Sequence, residues 1–309
     1  MNNIEFYIPD DIPLEVSIYD AEVNQLGVGK AGKIGSLQLV LEKDLEGKRT
    51  IIKHQQSKVP LHVQRALYYE KELPAMAHLY IISPSGGILQ GDRYRIDITL
   101  KNNAIAHMTT QGATRLYRMN ANSATQLINI TVDKDCYMEF IPDQIIPFCD
   151  SRFYQKLNMK VHDTATMVYS EIIVSGRVAM GESFQYDICY MRTVAKNQDD
   201  KFRFVDAMKL EPKKQNMNVL GVLGKNTVVG TIYILTKKEH VAECANRINS
   251  SLQHFERISG GASILPHESG VIVRLLGNQA SDVKDFVYET VKIVRKKVLN
   301  APFTGMRKN

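Results

Sequence analysis

Arg95-Ile96-Asp97-Ile98-Thr99-Leu100 sets polar and apolar residues in strict alternation. In an extended chain that pattern puts Ile96, Ile98 and Leu100 on one face and Arg95, Asp97 and Thr99 on the other. The same period recurs on both sides. Upstream, Leu37, Leu39 and Leu41 alternate with Ser36, Gln38 and Val40. Downstream, Ile128, Ile130 and Val132 alternate with Asn129, Thr131 and Asp133, and Leu157, Met159 and Val161 with Asn158, Lys160 and His162. Strands this short and numerous, separated by polar or glycine-containing turns, predict a sandwich, barrel or solenoid rather than an α/β enzyme. No fixed repeat of a familiar solenoid is present.

The helical period appears only late. Thr236 and Glu239 have capping-box spacing. After them Val241, Cys244, Ala245, Ile248, Leu252 and Phe255 recur at three- and four-residue steps. A second amphipathic stretch carries Val283, Phe286, Val287, Thr290, Val291, Val294 and Val298. Between them Gly270 to Leu276 reads as a buried strand. The C-terminal third is therefore expected to run strand, helix, strand, helix. No Pro/Ser-rich linker sets it apart, so residues 1–309 are read as one domain.

The whole chain bounds the possibilities further. Its 309 residues are 44% hydrophobic and 23% charged, the composition of a folded globular protein rather than a disordered one. A net charge of +6 and a pI near 9.0 favour acidic partners without naming one. The basic runs Lys213-Lys214, Lys237-Lys238 and Arg295-Lys296-Lys297 are short and scattered, which predicts a solvated basic surface. Cys136, Cys149, Cys189 and Cys244 form no C-x-x-C pair, and reduced thiols in a cytoplasmic protein are the simplest expectation. Met1 to Pro13 carries acids and no long apolar stretch, unlike a signal peptide. No apolar run is long enough for a membrane helix.

Familiar chemical motifs fail on spacing. Ser83-Pro84-Ser85-Gly86-Gly87-Ile88-Leu89-Gln90-Gly91-Asp92 follows a strand-like run but lacks the Gly-Lys-Ser/Thr of a phosphate loop. In Gly221-Val222-Leu223-Gly224-Lys225-Asn226-Thr227 two residues separate the glycines where four are needed, and Asn226 stands where the magnesium-binding hydroxyl belongs. The histidines have no H-x-x-x-H spacing on a predicted helix. No G-x-S-x-G elbow exists.

Between His78 and Phe184 the chain carries a series of ordered phrases. His78-Leu79-Tyr80 leads into Pro84-Ser85-Gly86-Gly87 and Gly91-Asp92; Thr109-Thr110-Gln111-Gly112-Ala113-Thr114-Arg115-Leu116-Tyr117 follows. Then come Met138-Glu139-Phe140-Ile141-Pro142-Asp143-Gln144-Ile145-Ile146-Pro147-Phe148, and Glu171 five residues before Gly176-Arg177-Val178-Ala179-Met180-Gly181-Glu182-Ser183-Phe184. Their order and spacing resemble the urease accessory protein family UreD, called UreH in some species. The resemblance runs from about Val59 and continues weakly through Val228 to Leu235, Gly260-Gly261-Ala262-Ser263 and Gly270 to Gly277. The first thirty residues have no counterpart in it. The chain also lacks the tryptophans that family members often carry.

The resemblance implies a mainly β, helical-β or solenoid-like scaffold with two helices and no catalysis of its own. It implies partnership with UreF, through UreF with the GTPase UreG, with apo-urease, and with UreE as nickel donor. It also implies no tightly bound cofactor, only nickel in transit. Matched phrase by phrase, the polar groups of a nickel route fall at Asp92, Thr114, Glu171 and Asp206.

Three of these positions are chemically telling in themselves. Glu171 interrupts the apolar run Met167 to Val174, where an ionised carboxylate is costly unless water, a partner or a cation meets it. Asp206 ends the run Phe202 to Val205, and Asp92 follows Gly91, where backbone can approach closely. Spaced oxygen ligands suit transit, whereas imidazole or thiolate cages would retain a metal of nickel's softness. Each position also has a structural reading. Asp92 caps a turn, Thr114 is an ordinary strand threonine, Glu171 pairs with Arg177 or another buried arginine, and Asp206 closes a strand. Arg177 and Glu182 read as a structural link, and Met138, Met159 and Met167 as core. An enzyme with an acid site at Asp92 and Glu171, and a generic β-rich interaction module, are the competing classes.

Overall fold

The computed structural model describes residues 4–21, 32–44 and 46–305. Its strands alternate between two facing sheets. After β1 (Ile34–Lys43) and β2 (Thr50–Lys58), β3 (Ala77–Ile81) lies in the second sheet and β4 (Arg93–Lys101) returns to the first. The chain then winds through β5 (Ile105–Thr110), β6 (Thr114–Leu116), β7 (Ala124–Val132), β8 (Tyr137–Phe140), β9 (Ile145–Pro147), β10 (Arg152–Val161), β11 (Thr166–Val174) and β12 (Ile188–Lys196).

Each turn of this winding stacks in parallel on the one before. In the first sheet β1, β4, β7, β10 and β12 pair in parallel. In the second, β3, β5, β8 and β11 do so, with β6 and β9 forming a short parallel corner. The result is a solenoid-like stack of β coils. The four alternating segments picked out by sequence are β1, β4, β7 and β10, neighbours in one sheet. Their register is continuous: Leu37 lies beside Ile96, Ile96 beside Ile128, and Ile128 beside Leu157. One-residue slippage would turn all of these out of the core at once.

Antiparallel strands finish the edges. β2 closes one side of the first sheet and β13 (Phe202–Leu210) the other, giving seven strands. β14 (Val228–Leu235), β16 (Val271–Gly277) and β15 (Ile258–Ile264) extend the second sheet to nine. The main core fills the space between the sheets, and Met138, Met159 and Met167 lie within it. A second core forms where α2 (Lys238–Leu252) and α3 (Ala280–Val298) cover the outer face of the nine-stranded sheet. Val241, Cys244, Ala245 and Ile248 face inward from α2, and Val283, Phe286, Val287, Val291 and Val294 from α3. No helix among the described residues is long and apolar enough to cross a membrane.

Four expectations are corrected in detail. Thr236 makes no capping box: Lys237 stands at the N-cap of α2 without a side-chain cap, and the Thr236 hydroxyl bonds Thr166 at 2.8 Å instead. Asp206 lies in the middle of β13, not at its end. Arg295, read with its basic neighbours as solvated, is completely buried on the core side of α3. Arg177 does pair with Glu182, Nε to Oε2 at 2.8 Å, so it is not the partner of Glu171. Within residues 1–30, which the resemblance left unmatched, residues 4–21 lie across the outer face of the seven-stranded sheet through a 3-10 turn (Ile4–Tyr7) and the one-turn α1 (Leu14–Ser17). The cysteines are free.

Candidate functional site

The inter-sheet space is apolar over most of its depth but contains one polar layer. Tyr94 on β4, Gln126 on β7 and Gln155 on β10 are register partners across the first sheet. Neighbouring strands lie about 4.8 Å apart, so these polar side chains form a continuous row. Facing it from the second sheet is Glu171, which shares its face of β11 with Tyr169. The alternation that buries Tyr169 in the core therefore also turns Glu171 inward.

Glu171 is almost fully buried and has weak polar company. Gln155 Nε2 is 3.5 Å from its Oε2 and donates at 3.1 Å to the Tyr169 hydroxyl. Burial pushes the Glu171 carboxyl up to about 7; Arg274 opposes this and Asp206 reinforces it. The guanidinium is already committed, with Nη1 donating to Thr231 Oγ1 at 2.6 Å and Nη2 to Asp206. Tyr233 donates to the same Asp206 oxygen at 2.5 Å. Glu171, Thr231 and Arg274 are successive register partners across β11, β14 and β16. Glu171 and Asp206 thus belong to one cluster, which reaches solvent at the partly exposed Arg274 and Asp206.

The other two positions lie at the opposite end of the row. Thr114 lines a cavity of about 250 Å³ with Ser85, Gly87, Tyr94, Gln111 and Gln126. Asp92 sits behind Tyr94 and is fully buried. Its carboxylate is engaged on all sides: by the backbone N–H of Lys33 (2.7 Å) and of Leu89 (2.9 Å), by the Tyr94 hydroxyl (3.1 Å) and by the Lys33 ammonium (2.9 Å). Asp92 therefore braces the turn below the cavity and fixes Tyr94. The row Tyr94, Gln126, Gln155 connects the cavity to Glu171. Among the described residues no three His, Cys, Asp or Glu side chains converge to hold a metal ion.

A second polar cluster, unanticipated from sequence, lies on the other face of the nine-stranded sheet. Arg295 of α3 clasps Glu139 of β8 through Nε to Oε1 (2.6 Å) and Nη2 to Oε2 (2.8 Å), and donates from Nη1 to Glu70 Oε2 (2.6 Å). Tyr137 donates to Glu139 Oε1 at 2.6 Å, and His107 Nδ1 lies 2.5 Å from Oε2. Phe303 covers the guanidinium, 4.6 Å from ring centre to Cζ. Burial raises the Glu139 carboxyl, but Arg295 and His107 outweigh it and hold it at about 2. Burial lowers the neighbouring His78 to about 3. Burial raises the Glu70 carboxyl above its ordinary value, and the cluster is a structural lock because Arg295 holds Glu139 and Glu70 to α3 at once.

Comparison with known proteins matches residues 33–309 to the model of the UreD urease accessory protein family. The chain belongs to the UreD family. A relative named urease accessory protein UreD from Cenarchaeum symbiosum is 43% identical over 286 residues, 93% of this chain and 100% of the relative. The UreD 2 protein of Brucella canis is 37% identical over 289 residues, 93% of this chain and 95% of its own. The UreD protein of Photorhabdus laumondii is 37% identical over 287 residues, 92% of this chain and 89% of its own. Both polar clusters lie inside the UreD match. The strap of residues 4–21 lies before its start.

Proposed function

We propose that this UreD-family chain is a urease maturation factor that contributes no chemistry of its own. It passes nickel along the inter-sheet polar row to apo-urease, in an assembly with UreF and, through UreF, UreG, with UreE as nickel donor. Asp92, Thr114, Glu171 and Asp206 are the route's polar groups, with unequal roles. Thr114 lines the cavity at one end. Asp92 adds negative potential there but is held by Lys33, so it shapes the route more than it binds. Glu171 is the central ligand and Asp206 the group at the far opening. Bound nickel would gain transient carboxylate and carbonyl oxygens there, with Gln155 and Gln126 supplying amide oxygens.

The observation that carries this reading is the Glu171 carboxyl. It is buried inside a protein whose family match spans nearly the whole chain, yet it has no ion pair among the described residues. A carboxyl so placed is expensive for the fold, and exchange of its proton for a passing cation explains its presence. In the test, Glu171→Gln keeps the shape and removes the charge. The expected result is an intact complex with UreF and UreG, and nickel content of the resulting urease reduced at least fivefold. Normal loading, or loss of the complex, would overturn the reading.

A further inference from the structure

The outer face of the seven-stranded sheet collects basic side chains that are scattered in sequence. Arg95, Lys156, Arg192 and Lys209 project from β4, β10, β12 and β13, with Arg152 at the start of β10; Arg95, Arg152 and Lys209 also pair with Asp97, Asp187 and Glu211 of the scaffold, whereas Lys156 and Arg192 pair with the segment. The segment 4–21 lying on them is acidic. Lys156 Nζ meets Asp10 at 2.6 Å and Asp11 at 2.8 Å, Arg192 meets Asp11 at 3.0 Å, and Lys209 meets Glu15 at 2.8 Å. The Tyr154 hydroxyl donates to Asp11 at 3.2 Å, and Arg95 donates to the Phe6 carbonyl at 2.8 Å. Aromatic rings lie beneath two of the cations: Phe6 under Arg95 and Tyr19 under Arg152. Val16 is the segment's fully buried apolar anchor in the small core formed with Tyr154 and Ile188.

This attachment is weak for its length. Asp10 is 87% exposed and Glu15 39%, and exposed ion pairs contribute little and are screened by salt. Leu14, on the same single turn of helix, and Ile18, just after it, face solvent. Beside the segment the same face opens into a cavity of about 540 Å³. Lys156, Lys160, Arg192 and Lys196 line it together with Asp10 and Asp11 of the segment, with Asp200 paired to Lys160 and exposed Phe202 and Val205 at its wall. Beyond the segment's own contacts the surface continues with Lys160 and Lys196 and the exposed Phe202 and Val205.

We infer that this face is a docking surface for an acidic partner segment carrying interspersed apolar residues, and that residues 4–21 are its intramolecular occupant, displaced when the partner binds. Two observations support the assignment independently. Charge complementarity is already realised in cis by Asp10, Asp11 and Glu15. The segment also lies before the family match, which begins at residue 33. The face thus lies within the matched scaffold and the segment before it. The inference does not depend on the nickel route.

The test uses the full chain and a fluorescent synthetic peptide of residues 4–21 as probe, read by anisotropy. Asp10→Asn, Asp11→Asn and Glu15→Gln together loosen the chain's own segment. This variant should bind the probe at least tenfold more tightly than the unaltered chain, with affinity falling as salt rises. Adding Lys156→Gln and Arg192→Gln to it should abolish binding. A scrambled peptide of equal charge should bind at least fivefold more weakly than the probe. No probe binding to a loosened variant that still unfolds cooperatively would overturn the inference. So would equal binding of the scrambled peptide, or a concentration-dependent dimer of the loosened variant, which would make a second copy of this chain the occupant.

Discussion

Replacing Arg295 with methionine removes the guanidinium from the lock beneath α3 and leaves its volume roughly filled. Two carboxylates, Glu139 and Glu70, then remain buried with only Tyr137 and the imidazoles of His107 and His78 beside them. Breaking a buried pair in this way costs about 3–5 kcal/mol. Unfolding entropy of roughly 2.1 cal/mol/K per residue gives a chain of this length a Tm loss of about 5–8 °C. The loss should depend on pH, with a definite sign. In the unaltered protein Glu139 sits at about 2, below its ordinary value of 4.5. Its stabilisation is present above that ordinary value and disappears only as pH falls toward 2. Without Arg295 burial dominates and drives the carboxyl upward, so stability is instead lost as pH rises past the ordinary value. Scanning calorimetry at about pH 5 and pH 8 should show the gap between the two proteins widening at the higher pH. Adding Glu139→Gln to Arg295→Met should recover at least half of the loss, because one of the two stranded carboxylates, the more deeply engaged one, is gone. A gap of the same size at both pH values, or no recovery in the double variant, would refute the electrostatic account and leave only packing.

Two further outcomes follow from the inter-sheet layer and its cavity. The Glu171 carboxyl, raised to about 7 by burial, contributes its full stability below the ordinary 4.5 and loses it as pH rises through 7; Glu171→Gln should therefore raise Tm at pH 8, by up to ~3 kcal/mol of stability, and leave it unchanged near pH 4. A pH-independent difference would count against the assigned titration. At the cavity lip, a Cβ on Gly87 would lie 2.5 Å from the Arg115 carbonyl and 2.6 Å from the Tyr117 ring, and that carbonyl is tied to the Ile88 N–H at 2.8 Å. Gly87→Ala should cost about 1–3 kcal/mol, seen as a lower urea midpoint at unchanged slope, and an unaltered midpoint would show that the lip yields freely.

The strands were legible because their signal is local. Ile96, Ile98 and Leu100 declare one face within six residues, whatever lies beyond. The isolation of Glu171 was legible for the same reason, since a lone carboxyl in an apolar run is visible without knowing its surroundings. Its partners were not, because Gln155 and Arg274 reach it from other strands, brought there by winding that no spacing in the sequence encodes. Thr236 shows the opposite failure: a correct local motif lost to a tertiary contact, the bond to Thr166. Arg295 had a readable signal that its neighbours hid. It falls four residues after Val291 and eight after Val287, on the apolar stripe of α3, while Lys296 and Lys297 continue the basic run around the helix. Glu139, between Met138 and Phe140 in an apolar strand, was its equally visible counterpart.

Glu139 and Glu171 together separate structure from function on physical grounds. They are the same residue type, both buried, on adjoining strands of one sheet, and they face opposite sides of it. Glu139 is driven to about 2 and Glu171 to about 7. Desolvation acts on both, so burial cannot be the difference. The difference is the guanidinium. Arg295 meets Glu139 with two hydrogen bonds at 2.6 and 2.8 Å, whereas Arg274 spends its donors on Asp206 and Thr231 and reaches Glu171 only through space. A carboxylate saturated by arginine and imidazole has nothing left to offer a cation, and removing it damages the fold. A carboxyl poised near neutrality, with one amide at 3.5 Å, can give up its proton to an incoming charge and take it back. On the proposed route that exchange is what transit requires, and a guanidinium placed against Glu171 as Arg295 is placed against Glu139 would end it.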